Sequence, residues 1–354
     1  MPVPPVSRRA SARLAIALVA TALVAVVSLA VGVPAATLAT APLQARTSRS
    51  RDWWGFTAPW DARSAASVRG HADQLAVVVS GWVALDTLTL APRSLYPDSA
   101  PRTATRFALV TDYYRDRFRP EAVRRLAADT LLRAATTDSL AAWAAHGGYR
   151  GLVLDFEGMT PADTTALRTV VAAITRAAHR RRVPTVAVTV IAGDTLAYPT
   201  RALLSVADRV IVMVYDQHWA TGTPGPIASP DWAQTIIEVR AGQTRAPSRL
   251  IVAVPVYGYE WRRDRTTVVI GAADATRLAA TWGVPLARDS ASLNLTTTGP
   301  DSTTLWVADA RVADTLAAIA RGLGVHTIAL WRLGLEDSTL WRARGTRGGA
   351  PSTR

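Results

Sequence analysis

The sequence predicts a (β/α)8 TIM barrel with a small α+β insertion between the seventh and eighth strands. Three observations carry this expectation. Eight short segments are apolar along their whole length, as strands of a parallel sheet covered on both sides are. Segments of helical character separate them, giving the alternation of an α/β fold. Eight strands close a barrel of about 250 residues, which the 354-residue chain accommodates.

The chain opens with Arg8, Arg9 and Arg13, followed by an uncharged apolar stretch from Leu14 to Val33, about long enough to span a bilayer. Residues 1–41 are therefore read as a signal peptide or N-terminal membrane anchor. The length favours an anchor, and the alanines between Ala35 and Ala41 leave cleavage open. Arginines on the N-terminal side place the remainder outside the cytoplasm, so the protein is expected to be exported, either secreted or membrane-held. Residues 42–51 read as a linker, 52–342 as the barrel, and 343–354, rich in Gly, Arg, Ser and Thr, as a disordered tail.

Within the globular part, Trp53 to Ala58 reads as the first strand, with a short helix from Arg63 to His71. Leu75 to Ser80 is the second strand, because Val77-Val78-Val79 is too β-branched for a comfortable helix. Phe107 to Thr111 is the third. A long helical region from Pro120 to His146, broken near Asp129, stops at Gly147-Gly148. The fourth strand ends at Asp155 and Glu157, and Thr160-Pro161 opens the next helix. In that helix Leu167, Val170, Val171, Ile174 and Ala178 share one face. The remaining strands are Thr185 to Ile191, Arg209 to Val214, Leu250 to Val256 and Val325 to Trp331, with helices near Thr200 to Val206, Asp231 to Ala241 and Asp309 to Leu323. Residues 260–305 are too many for one connecting helix and read as the insertion, with a strand at Thr266 to Ile270 and a helix from Ala273 to Trp282.

Composition excludes several functions. Without cysteine there is no disulfide framework, thiolate metal site or nucleophilic thiol. The net charge of +13 comes from arginine alone, since the chain has no lysine. Nucleic acid or an anionic envelope polymer would suit such a charge. Scattered arginines, with a run of three only at Arg180-Arg181-Arg182, fit a general compositional bias better, and no basic stripe beside aromatics marks a nucleic-acid site. No second histidine lies at metal-ligand spacing, and no Gly-x-Ser-x-Gly elbow is present, so neither a metal site nor a serine triad is expected.

The candidate site begins at the acid-tipped strand. Side chains two apart on a strand face the same way, roughly 7 Å along it, so Val153, Asp155 and Glu157 share a face. Carboxylates at the mouth of an apolar strand are costly unless partnered or protonated. The structural alternative is that they cap the following helix. Barrels of this class place their chemistry at the C-terminal strand ends, and these ends are rich here. The sixth strand ends in Tyr215-Asp216-Gln217-His218-Trp219, the seventh in Tyr257-Gly258-Tyr259 and the eighth in Trp331. Aromatic faces with a few carboxylates suit sugar rings. Taken singly, Trp331 and Tyr257 are also ordinary core aromatics, and His218 an ordinary loop histidine.

Five segments, in order, carry a resemblance: Gly151-Leu152-Val153-Leu154-Asp155-Phe156-Glu157, Met213-Val214-Tyr215-Asp216-Gln217-His218-Trp219, Gly225-Pro226-Ile227-Ala228-Ser229, Pro255-Val256-Tyr257-Gly258-Tyr259-Glu260-Trp261 and Leu330-Trp331-Arg332-Leu333-Gly334. Over residues 52–341 the chain resembles glycoside hydrolase family 18, the chitinase-like barrels, and within it the spore-germination and cortex-lytic peptidoglycan hydrolases. The resemblance implies that Glu157 is the general acid, Asp155 holds the substrate's 2-acetamido group, and Tyr215 hydrogen-bonds the acetamido oxygen. It implies Asp216, His218, Tyr257 and Trp331 as substrate-binding residues, Trp331 flooring the sugar subsite, and no metal or organic cofactor. The fuller pattern Asp-Gly-x-Asp-x-Asp-x-Glu is broken at Arg150 and Val153, so the inner acid behind Asp155 is missing.

The function so implied is cleavage of β-1,4 linkages in an N-acetylglucosamine-containing glycan, peptidoglycan or a related envelope polysaccharide, by substrate-assisted retaining catalysis. The expected partner is that polysaccharide, with membrane contact only through an uncleaved N-terminal segment and no nucleic acid. The alternative is a catalytically silent barrel that binds such glycans or scaffolds their processing. Glu157 with Asp155 favours the enzyme; Val153 favours the binder.

Overall fold

The computed structural model describes residues 52–86, 88–114 and 117–345, so the expected leader, linker and most of the expected tail lie outside the described residues. The strands are β1 (Trp53–Phe56), β2 (Val77–Leu85), β3 (Pro92–Tyr96), β4 (Arg106–Thr111), β5 (Gly151–Asp155), β6 (Thr185–Ile191), β7 (Arg209–Met213), β8 (Leu250–Pro255), β9 (Gly258–Trp261), β10 (Thr267–Ile270), β11 (Ala287–Arg288), β12 (Leu295–Thr298), β13 (Thr304–Val307) and β14 (Thr327–Trp331). The α-helices are α1 (Ala62–His71), α2 (Pro120–Ala128), α3 (Thr130–His146), α4 (Thr164–Arg180), α5 (Thr200–Leu204), α6 (Pro230–Gly242), α7 (Ala272–Trp282), α8 (Ala310–Gly322) and α9 (Thr339–Gly345).

Eight parallel strands run in the order β1-β14-β8-β7-β6-β5-β4-β2, and β1 also pairs with β2, which closes the ring into a (β/α)8 barrel. The interior is filled by Trp54, Val79, Leu109, Val153, Ala187, Ile211, Ala253 and Ala329, one or more side chains from every barrel strand. Val153 is fully buried there as an ordinary apolar member of the layer. Outside the ring, helices cover the sheet with the faces their periodicity marks. Leu167, Val170, Val171, Ile174 and Ala178 of α4 are all buried, each worth roughly 1–3 kcal/mol of transfer free energy. Asp129 accepts from the Leu132 N–H at 2.9 Å and caps α3, which separates it from α2 at the expected break.

The region after Ser80 departs from expectation. Strand β2 continues to Leu85 and turns back as β3 in an antiparallel hairpin, with register shifts at Val79/Gly81 and Trp82/Val83. The extra length carries Trp82 and Tyr96 over the barrel mouth. The insertion is a five-stranded antiparallel sheet, β10-β9-β13-β12-β11, with α7 packed through Ala272 and Ala275 on Leu305 and Val307. It begins at Gly258, two residues earlier than the sequence suggested, where a Cβ would sit 2.1 Å from the Trp306 carbonyl oxygen. The last helix, α9, runs three residues into the expected tail. Among the described residues no helix is long and apolar enough to cross a membrane, and Leu14 to Val33 lies outside them.

Candidate active site

The strand ends converge on an open cleft of about 500 Å³. Its base is formed by Asp155, Glu157, Tyr215, Asp216 and Trp331, and its apolar wall includes Trp60, Trp82 and Tyr96. A second cleft of about 510 Å³, walled by Trp219 and Trp232, shares Glu157, Met213, Tyr215 and Asp216 with the first. Glu157 thus stands between two hollows.

Asp155 ends β5 beside Thr111, and the Thr189 hydroxyl on the next strand lies 2.8 Å from its Oδ1. Burial pushes the Asp155 carboxyl up, opposed by that hydroxyl. Glu157 is raised further, first by burial and then by the charges of Asp155, Asp112 and Asp216. These causes keep its proton on near neutrality, the condition for a general acid.

The backbone around Glu157 is held from two sides. Its N–H donates to Asp112 Oδ1 at 3.1 Å, while the Tyr198 hydroxyl donates to the Phe156 carbonyl at 3.1 Å and accepts from the Met159 N–H at 3.2 Å. Behind Tyr198, the fully buried Arg240 of α6 spans the loop after β6. Its guanidinium donates to the carbonyls of Ala192 (3.1 Å), Asp194 (3.0 Å), Tyr198 (2.6 Å) and Ile191.

Helix capping, the alternative role for the two acids, falls to other residues. The Thr160 N–H and hydroxyl donate to Asp163 Oδ2 at 2.8 and 2.7 Å, forming the capping box that leads into α4.

Tyr215 and Trp331 stack at 6.0 Å with their planes 14° apart, and both line the first cleft, so two aromatic faces floor it. The Trp331–Arg332 peptide is cis. Burial, then Asp155, Glu157 and Asp216, raise the Tyr215 phenol well above its usual value, so it is neutral and able to donate.

Two of the expected substrate contacts lie away from both clefts. Tyr257 is buried at 3% exposure and lines neither cleft, because its hydroxyl turns to Asp216 Oδ1, which Tyr259 also reaches at 2.9 Å. His218 likewise lines neither cleft: its Nδ1 lies 2.9 Å from the Thr223 carbonyl, and its ring fills the space a Cβ on Gly225 would need, 2.5 Å away. This explains the link between the sixth-strand motif and Gly-Pro-Ile-Ala-Ser. The Gln217 N–H bonds the Ile227 carbonyl at 2.9 Å, and the Ser229 N–H bonds Gln217 Oε1 at 2.8 Å. Asp216 does line both clefts, in a left-handed backbone conformation with φ 56°.

Sequence reading missed Trp60, Trp82, Tyr96 and Asp112 as site residues. Trp60, 53% exposed at the end of the first strand, carried a readable signal: an exposed aromatic on the catalytic face of a barrel. Asp112 follows directly on the third strand's apolar run, the same signature that drew attention to Asp155. Among the described residues no group of three or more His, Asp or Glu is arranged to hold a metal ion.

Fold and site together define a (β/α)8 barrel with an acid-tipped fourth strand beneath an aromatic cleft. No protein-family model matches the chain. In sequence it is similar to the uncharacterized glycosylase YvbX of Bacillus subtilis (strain 168), 25% identical over 226 residues, which cover 60% of this chain and 65% of YvbX. It spans 39% to 49% of the other curated relatives it matches, a sporulation-specific glycosylase and two cortical fragment-lytic enzymes from bacilli. In structure it resembles a chitinase from Chromobacterium violaceum, with a TM-score of 0.73 at 22% identity, covering 82% of this chain and 97% of that one. The spore cortex-lytic enzyme SleL of Bacillus cereus superposes with a TM-score of 0.72 at 16% identity, covering 82% and 73%. At these identities the structures speak for the fold alone. The resemblance drawn from the motifs, to chitinase-like and cortex-lytic barrels, agrees with the relatives found.

Proposed function

We propose that the protein is a glycoside hydrolase cleaving β-1,4 linkages that follow N-acetylglucosamine in peptidoglycan or a related envelope polysaccharide. The observation that carries this reading is Glu157: a carboxyl held protonated by burial and neighbouring acids, at the junction of two aromatic-walled clefts. A glycan lying across both hollows would present a glycosidic bond to it, with sugar on either side.

In this mechanism Glu157 gives its proton to the glycosidic oxygen as the C1–O bond breaks. The substrate's acetamido carbonyl oxygen attacks C1 from the opposite face, forming an oxazolinium ion, a route distinct from the two-carboxylate scheme. Asp155 faces the acetamido nitrogen and stabilises its developing positive charge, and Tyr215 donates to the acetamido oxygen. Water, losing its proton to the Glu157 carboxylate, then opens the ring with overall retention. Trp331 floors the sugar. The export reading of residues 1–41 agrees with an envelope substrate, and fractionating cells that express the full chain tests it.

The second reading, a glycan-binding barrel without turnover, rests on Val153, which leaves Asp155 no acid behind it. Wild type and Glu157→Gln compared on peptidoglycan and on N-acetylglucosamine oligomers decide between them. The enzyme releases fragments that the variant does not; equal binding with no fragments from either sinks the enzymatic reading.

A further inference from the structure

Among the described residues, Asp112 is the one acid acting on Glu157 that faces neither large cleft. It follows β4, is 2% exposed, and accepts the Glu157 N–H through Oδ1. Its own N–H approaches the Asp155 carbonyl at 3.4 Å. Its Oδ2, buried, has no hydrogen-bond partner among the described residues.

The groups around it explain its state. From β5 and the residues after it come Asp155 and Glu157, both acidic, and Tyr198 lies beyond them. From its own side, Arg119, Glu121 and Arg125 line a hollow of about 210 Å³ with it. Both guanidiniums are occupied elsewhere, Arg119 Nε donating to the Tyr114 carbonyl at 3.1 Å and Arg125 to the Leu88 carbonyl at 2.7 Å. Burial therefore pushes the Asp112 carboxyl up to about 7, aided by Asp155 and opposed by the main-chain N–H groups of Glu157, foremost, and of Asp112 and Arg119. A buried carboxyl with an orphan oxygen is a standing cost to the fold, which makes a structural role alone a poor explanation for it.

We propose that Asp112 is a positioning residue for Glu157: it anchors the main chain of the acid through the N–H bond, and its negative charge, when present, favours retention of the proton on Glu157. The proposal rests on the reading of Glu157 as the general acid. The mechanism requires a proton at Glu157 and a fixed direction for its side chain, and Asp112 serves both from the neighbouring strand without touching substrate.

Wild type, Asp112→Asn and Asp112→Ala are compared to test it. Asparagine keeps an acceptor for the Glu157 N–H but carries no charge; alanine removes both. With 13C-carboxyl labelling, and Glu157→Gln to assign its signal, NMR reads the apparent titration midpoint of Glu157 in the intact protein. We expect that midpoint to fall by roughly one pH unit in Asp112→Asn. The alkaline limb of kcat/KM should move down with it, and Asp112→Ala should lose a further several-fold in kcat. An unchanged midpoint in Asp112→Asn overturns the electrostatic role, and equal kcat in the two variants overturns the anchoring role. If wild type cleaves no glycan, the glycosidase reading fails by itself, while the NMR titration still decides whether Asp112 governs Glu157.

Discussion

Glu157 and Asp163 lie on the same connection between β5 and α4 and have opposite surroundings. Asp163 receives the Thr160 N–H and hydroxyl and two bonds from Arg124, at 2.6 and 2.9 Å, and these, Arg124 foremost, hold its carboxyl well below the usual range. Glu157 has buried acids for neighbours and, among the described residues, no cation, and it is driven the other way. A carboxyl surrounded by donors stabilises structure, whereas one deprived of them stores a proton. The contrast separates the cap from the proposed acid more sharply than sequence proximity does.

The strongest way to break this comparison is to neutralise each acid in turn. Glu157→Gln should lower glycan cleavage by about 10²–10⁴-fold while leaving the melting temperature at or above that of wild type. Activity and thermal unfolding measured on the same preparation read both. If Glu157→Gln unfolds the protein and keeps its specific activity, the roles are reversed.

How far this contrast could be read in the sequence depends on distance along the chain. The eight strands were legible because each is a continuous apolar run, and α4 because its buried face repeats regularly. Asp155, Glu157, Tyr215 and Trp331 were legible because each ends such a run. Asp112 ends such a run too, but its bond to Glu157 exists only once β4 and β5 pair in register, Thr111 beside Asp155. The β2–β3 hairpin was hidden because Gly81 interrupts the valine run just where the strand shifts register and continues. Tyr257 reads as a rim aromatic by position, but its hydroxyl finds an acceptor inside the protein, and that competition leaves no mark in the sequence.

The next effect in size is a pH dependence of stability. The folded-state midpoint of Asp112, about 7, lies above its ordinary 3.8, so its favourable contribution is complete below the lower value and is lost as pH rises through the higher one. Asp112→Asn does not titrate. Its stability relative to wild type should therefore grow from about pH 4 to pH 7 and level off above, by a few kcal/mol. Denaturant unfolding at four or five pH values checks this; a difference that shrinks with pH contradicts it.

Asp163→Ala should destabilise by about 1 kcal/mol, through loss of the capping box and of a partner for Arg124, with kcat unchanged. A large fall in kcat without loss of stability would move Asp163 to the catalytic side. The smallest expected effect is at the cleft wall. Trp60→Ala should raise KM on longer oligomers about 2- to 10-fold, a loss of roughly 0.5–1.5 kcal/mol of stacking, and leave kcat alone. Equal kinetics on short and long oligomers would remove Trp60 from the binding surface.

Arg240 gives the arginine-only composition a different meaning at one position. Exposed arginines such as Arg181 and Arg117, each beside a single carboxylate, would tolerate exchange for an ammonium. The buried guanidinium under the β6 loop spreads its donors over the carbonyls of Ile191, Ala192, Asp194 and Tyr198 in a planar fork. An ammonium offers three donors from one point and could not span that set. In a relative with a lysine-rich genome this position should therefore still be read as arginine, a fixed letter where exposed ones can change.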